Sequence, residues 1–205
     1  MGEKRSRKTR SDKKIDCKPF VSISFYDSLS NLSRIADRPV KDVGETFLIT
    51  SLSDINVIEH FEEQFVFDYW HGDTVFMGNG QMIHKQRATL PFEKRRLNMR
   101  FNSEQYHQLK QFANAIDRSI SFAASQLLEV AFFKTNMVHR YIETHVVHRL
   151  DIEQRTRLKE VLRFINEQNT EYETTYFGLL EHIFSRFKGT GMKHAIGQFL
   201  DKYYS

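Results

Sequence analysis

The feature that most constrains this chain is a six-residue alternation, Arg96-Leu97-Asn98-Met99-Arg100-Phe101. Polar side chains stand at 96, 98 and 100, and apolar ones at 97, 99 and 101. A period of two describes a strand with one buried face and one face of Arg, Asn and Arg. A single strand leaves its backbone N–H and C=O groups unpaired, so this one needs a partner strand. Asn102-Ser103-Glu104 ends the alternation and offers a helix N-cap. Tyr106, Leu109, Phe112, Ala113 and Ile116 then recur at spacings of three and four, the pattern of a one-faced helix. Asp117-Arg118-Ser119 makes a short turn. Ser119 or Ser121 can cap a second helix, with Ala124, Leu127, Leu128, Ala131 and Phe132 on its inner face.

The order strand, helix, tight turn, helix over residues 94–133 resembles the ribbon-helix-helix family of DNA-binding proteins. Leu97-Asn98-Met99-Arg100-Phe101, with Ser103-Glu104 soon after, is similar to the strand and first helical turn of the phage Arc repressor. Arg118-Ser119 and the capped second helix resemble the family's inter-helix turn. Asn102 stands where many members have proline. Asp117 stands near a turn position often held by Gly or Asn, and Asp tolerates the left-handed backbone required there. The resemblance implies two subunits whose strands pair antiparallel and enter the major groove as a ribbon. Arg96, Asn98 and Arg100 would then read bases, Arg to guanine and Asn to adenine. Lys94, Arg95, Arg118, Ser119 and Ser121 would hold phosphates, the last two at a helix N-terminus. The partners expected on this basis are double-stranded DNA and a second copy of the chain, as a homodimer or a higher even oligomer.

The rest of the chain fits around that unit. Residues 1–18 hold eight Lys or Arg and three acids, while the remainder of the chain is nearly neutral, so the net charge of +4 comes from the N-terminus. With no large apolar residue between Met1 and Ile15, this segment is expected to be a flexible basic arm beside nucleic acid. Residues 19–91 carry all three prolines and are expected to form a small α/β region of unknown role. Its strands are expected at Phe20–Phe25, Thr46–Thr50, Phe65–Tyr69, Thr74–Met77 and Gln81–His84. A helix is expected over Ile55–Glu63, and a hairpin turn at His71-Gly72-Asp73. Residues 92–135 are the ribbon-helix-helix unit. Residues 136–205 contain helical patterns and are expected to serve oligomerisation or to bind a protein partner. No internal repeat is visible. The fold class expected is α+β, mostly helical.

Other chemistry has little support. No apolar run reaches the length of a membrane span, and no apolar stretch follows the basic start as in a secretory signal. The single cysteine, Cys17, excludes a disulfide framework or a multi-cysteine zinc site, and a reducing, cytoplasmic location follows. Lysines near Cys17 would lower its pKa, but no partner histidine accompanies it. His139, Glu143, His145 and His148 share one helical stretch without the spacing of a known metal site, so no metal and no cofactor is expected. Gly78-Asn79-Gly80 lacks the lysine and serine of a phosphate loop. Nothing points to an enzyme. The expected function is sequence-specific DNA binding, as a transcriptional repressor or as an accessory factor in plasmid or phage maintenance or transfer. The alternative is a helical protein-interaction adaptor in which 97–133 is plain core. The two differ in whether the strand carrying Arg96, Asn98 and Arg100 pairs with a second copy and leaves its polar face open.

Overall fold

The computed structural model describes residues 14–81, 93–168 and 173–203. Expectations for the arm residues 1–13 and for Met82–His84 lie outside the described residues.

The basic arm is expected to reach residue 18, but β1 (Ile15–Cys17) already forms strand within it, and β2 (Phe20–Ser22) follows. The strand expected at Phe20–Phe25 stops at Ser22. That residue caps α1 (Ile23–Ala36), its hydroxyl accepting from Phe25 N–H at 3.2 Å. Phe25, Leu29, Leu32 and Ile35 recur at helical spacing and are buried. Asp37 ends the helix in the left-handed conformation (φ 51°). After Pro39 comes α2 (Val40–Ser53). The β-prone run Thr46–Thr50 is therefore helical. Val43, Phe47, Leu48 and Ser51 bury one helical face, and tertiary burial outweighs the weak local preference. Thr46 also settles its hydroxyl on the Asp42 carbonyl at 2.8 Å.

A connector follows. α3 (Ile55–Glu59) starts from Asp54, whose carboxylate accepts from Asn56 N–H at 3.0 Å. β3 (Tyr69–His71) and β4 (Thr74–Phe76) form the expected hairpin about Gly72 (φ 57°), but its first strand begins at Tyr69, where the strand expected at Phe65–Tyr69 was to end. His71 Nε2 lies 3.1 Å from the Leu52 carbonyl, so the hairpin tip is tied to the end of α2. A side chain at Gly78 would sit 2.4 Å from the Phe67 backbone. That glycine is explained by close backbone packing.

The second half repeats the first. β5 (Lys94–Arg96) and β6 (Met99–Phe101) lead into α4 (Ser103–Ala115), a turn, and α5 (Ile120–Phe133). Asn102 makes a capping box with Gln105. Asp117 takes the left-handed conformation (φ 49°) 80 positions after Asp37, and Arg118 follows it as Arg38 follows Asp37. The turn hydrogen bonds correspond as well. Arg38 N–H donates to Ser33 O at 3.0 Å, and Arg118 N–H to Ala113 O at 2.9 Å. Asp37 N–H donates to Arg34 O at 3.2 Å, and Asp117 N–H to Asn114 O at 3.0 Å. The chain therefore contains a structural repeat, and the expectation of none is corrected. Few side chains match at the common offset, namely Lys14/Lys94, Tyr26/Tyr106, Leu29/Leu109, Asp37/Asp117, Arg38/Arg118 and Leu48/Leu128. Sequence identity alone is too sparse to expose it.

The partner of the 94–101 strand is residues 15–22 of the same chain. Ile15, Asp16 and Cys17 pair antiparallel with Phe101, Arg100 and Met99, and Phe20, Val21 and Ser22 with Arg96, Arg95 and Lys94. One register runs through both pairs, so they form a single two-stranded ribbon. Its middle is interrupted at Pro19, which has no N–H to donate, though its carbonyl accepts from Leu97 N–H at 3.0 Å. The pairing that a lone strand would seek in a second copy is thus met internally. The halves interlock, because α2 lies on β6 of the other unit and α5 lies on β1 and β2. α2 and α5 pack against each other beneath the ribbon. A Cβ on Gly44 of α2 would be 2.9 Å from Leu97 and 3.1 Å from Met99. The corresponding residue of α5 is Ala124, also small and fully buried. Small residues at both places let the ribbon settle onto the helix pair.

The C-terminal third is helical, as expected, with α6 (Met137–His145), α7 (Ile152–Gln168), α8 (Tyr176–Arg186) and α9 (Met192–Tyr203). α6 packs on α5, and an ion pair from Arg140 to the capping residue Asp54 also ties α6 to the connector. α8 packs on α1, where Asn31 Nδ2 donates to Glu181 Oε1 at 2.8 Å. No helix among the described residues is long and apolar enough to cross a membrane.

Candidate nucleic-acid interface

The pleat of the ribbon sorts its residues. Cys17, Val21, Leu97, Met99 and Phe101 point inward and are at most 4% exposed. Asp16, Lys18, Phe20, Arg96, Asn98 and Arg100 are all exposed on the opposite face. The three residues expected to read bases are therefore together and open. Leu97, Met99 and Phe101, between the readers, are buried beneath the ribbon, with α2 of the chain's first unit lying on β6.

Cross-strand contacts order the open face. At one end Arg100 Nε–H donates to Asp16 Oδ1 at 2.9 Å, and Lys18 Nζ reaches Asp16 Oδ2 at 3.1 Å. Hydrogen bonds from Lys18 and then Arg100 hold the Asp16 carboxyl below the ordinary carboxylate range. At the other end the Arg96 guanidinium lies over the Phe20 ring, 4.7 Å from its centroid. The register carried through the middle sets Lys18 opposite Asn98. The face holds three cations against one carboxylate. Side-chain exposure is 69% for Arg100 and 43% for Asp16, so solvent or a ligand reaches both.

Both outer edges of the ribbon are clasped by the second helices. Ser125 of α5 donates its hydroxyl to the Phe20 carbonyl at 2.7 Å. Glu45 of α2, the structural counterpart of Ser125, accepts from Arg100 N–H at 2.8 Å. These bonds satisfy edge backbone groups that a two-stranded sheet leaves open. They also fix the start of each second helix beside the ribbon.

The residues expected at phosphates are less uniform. Lys94 pairs with Ser22 at the ribbon's end, and its charge acts on the half-buried Glu129 carboxyl, whose pKa burial raises and Lys94 lowers. Arg95 points away from the open face, its guanidinium 4.0 Å from the Tyr26 ring centroid. Ser119 caps α5 by accepting from Phe122 N–H at 3.3 Å, and Arg118 lies 5.5 Å from the Phe122 ring centroid. Ser121, in the first turn of α5, is half-buried. Lys94, Arg118, Ser119 and Ser121 thus flank the ribbon or the start of α5, whereas Arg95 does not share their surface.

Cys17 corrects a further expectation. It sits on the inner face of the ribbon, and burial raises its thiol to about 11 rather than lowering it. Asp16, Lys18 and Phe20 belong to the open face but were not among the residues singled out from sequence. The repeated Asp-Arg pair at 37–38 and 117–118 is the signal that would have located their strand.

His139 Nε2 and Glu143 Oε1 are 3.6 Å apart, and among the described residues no three His, Cys, Asp or Glu converge as a metal site would need. A groove of about 920 Å³ opens between α7, α8 and α9, lined by Phe164, Leu179, His182, Arg186 and Phe199 among others. Compared with known proteins, the chain matches no family model, no curated protein and no solved structure.

Proposed function

We propose that this protein binds double-stranded DNA in a sequence-specific manner, laying its ribbon in the major groove. The two strand–helix–turn–helix units are a fused pair of ribbon-helix-helix units, so that one chain supplies what two subunits supply elsewhere. The observation that carries this reading is the exposed polar face, Arg96, Asn98 and Arg100 with Lys18, on a ribbon backed by two interlocked helix pairs. A two-stranded ribbon fits the width of the major groove, and these side chains match its donor and acceptor pattern. Lys94, Arg118 and the N-terminus of α5 at Ser119 and Ser121 would hold phosphates beside it. The basic residues of the arm would add contacts that do not read sequence.

In the cell such a protein would act in the cytoplasm as a repressor, or as an accessory factor in plasmid or phage maintenance or transfer. The adaptor alternative requires the strand to be plain core. The strand does pair within its own chain, yet its polar face is open, and that openness favours DNA.

The test is selection from a random duplex library followed by gel shift. An enriched motif, with binding that weakens steeply as salt rises, is the expected result. Failure to retain any duplex at low salt would overturn the reading.

A further inference from the structure

The two strands of the ribbon are related by the internal repeat, yet their open faces differ in chemistry. The second strand carries Arg96, Asn98 and Arg100. The first carries Asp16, Lys18 and Phe20, and two of these lie directly across from the two arginines. We infer that the strands divide the work: the second reads the bases, and the first holds the readers in place, so that one chain recognises a non-palindromic site in one orientation. This inference rests on the DNA-binding reading and specifies its target.

The geometry supports the division at each pair. Asp16 takes the Nε–H of Arg100, which fixes the guanidinium plane and leaves both terminal amino groups for a base. Two parallel donors from one arginine suit the O6 and N7 acceptors of guanine. Phe20 covers one face of the Arg96 guanidinium, restricting its rotation while leaving its N–H edge open. Lys18 is turned to Asp16. Among the described residues the amide of Asn98 meets no hydrogen-bond partner, so both its donor and its acceptor remain for adenine. Asp16 and Phe20 are positioning residues on this account.

The spacing sets the length of the site. Four residues of strand from Arg96 to Arg100 span about 13 Å at ~3.3 Å per residue. That is about four steps of duplex at ~3.4 Å each. The target is a guanine, an adenine and a guanine in that order within about five base pairs, with no inverted copy in the same contact region.

The experiment uses the full chain. Random-duplex selection is combined with the stoichiometry of the selected complex, measured by native mass spectrometry. The expected result is an asymmetric guanine–adenine–guanine motif bound by one chain. Arg100→Ala should reduce preference for one of the guanines by about tenfold or more. Asp16→Ala should reduce preference at the same base pair while strengthening binding to random duplex, because a carboxylate leaves the groove. Asp16→Asn keeps an acceptor for Nε–H and should restore much of the preference. A purely structural role for Asp16 would instead weaken all sequences alike, which overturns the inference. A palindromic motif bound by two chains also overturns it and leaves the DNA-binding reading intact. Absence of any duplex binding overturns both. Circular dichroism of each variant separates altered recognition from a failure to fold.

Discussion

Residues 15–53 and 95–133 are two versions of one structure, a strand, a helix, a left-handed aspartate and a second helix, and they differ mainly where they meet solvent. Their inner positions are alike in kind, with Leu29 and Leu109, Leu48 and Leu128, and Gly44 and Ala124 all buried. Their outer positions diverge. Asp16, Lys18 and Phe20 stand where the other strand has Arg96, Asn98 and Arg100. The second helices diverge too, since α5 begins at a serine cap and α2 begins after Pro39 with Asp42 in its first turn. The lesson is that the core preserves the pairing of the halves, while the surface is free to specialise each half.

The largest expected effect comes from removing one half of the ribbon. Deletion of residues 1–18 takes away β1 with the buried Cys17 and leaves the backbone edge of β6 unpaired, so cooperative unfolding should be lost. Deletion of 1–13 spares the strand and should leave the thermal midpoint nearly unchanged. If the DNA reading holds, the shorter deletion should also flatten the salt dependence, by roughly 0.9 in log–log slope for each phosphate the arm no longer neutralises. Thermal melts and salt titrations of both truncations check this. A full-length midpoint that does not move with protein concentration would further support pairing within one chain.

Cys17 distinguishes the strands by titration. Its counterpart Leu97 has no proton to lose. Burial raises the Cys17 thiol from 9.0 to about 11, so the folded state resists ionisation more than the unfolded state does. Stability should be intact below pH 9 and fall as pH rises toward 11, by roughly 2–3 kcal/mol from this group. Cys17→Val should remove that share of the alkaline loss, as seen in urea midpoints across the range. In the folded protein at neutral pH, the thiol should resist alkylation until denaturant is added.

Gly44 and Ala124 occupy matching places beneath the ribbon. Gly44→Val would overlap Leu97 and Met99 and should cost about 1–3 kcal/mol through overpacking. Ala124→Gly leaves room rather than clash and should cost about 1 kcal/mol, through helix propensity. Chemical denaturation resolves the two. The smallest effect concerns the caps. Ser119→Ala removes a hydrogen bond to Phe122 N–H and should cost about 1 kcal/mol. Pro39 makes no side-chain cap, so Pro39→Ala should cost less.

The sequence by itself determined the local elements of the second unit. Alternation at 96–101 and three-and-four spacing afterwards depend only on neighbours in the chain, so the strand, both helices and the face holding Arg96, Asn98 and Arg100 were legible. The same rule located the C-terminal helices and the hairpin about Gly72. It failed at Thr46–Thr50, where local β-branching opposed a helix that burial enforces. It failed again at residues 15–17, because Pro19 separates them from the strand expected at Phe20 and basic residues disguise them as an arm. Which strand pairs with 94–101 is a matter of distant contacts, decided by the fit of Leu97 and Met99 over Gly44 and by the clasps from Glu45 and Ser125. Only the tertiary structure could set Asp16 against Arg100 and Phe20 against Arg96. A cross-strand neighbour some 80 residues away leaves no periodic trace in a single sequence.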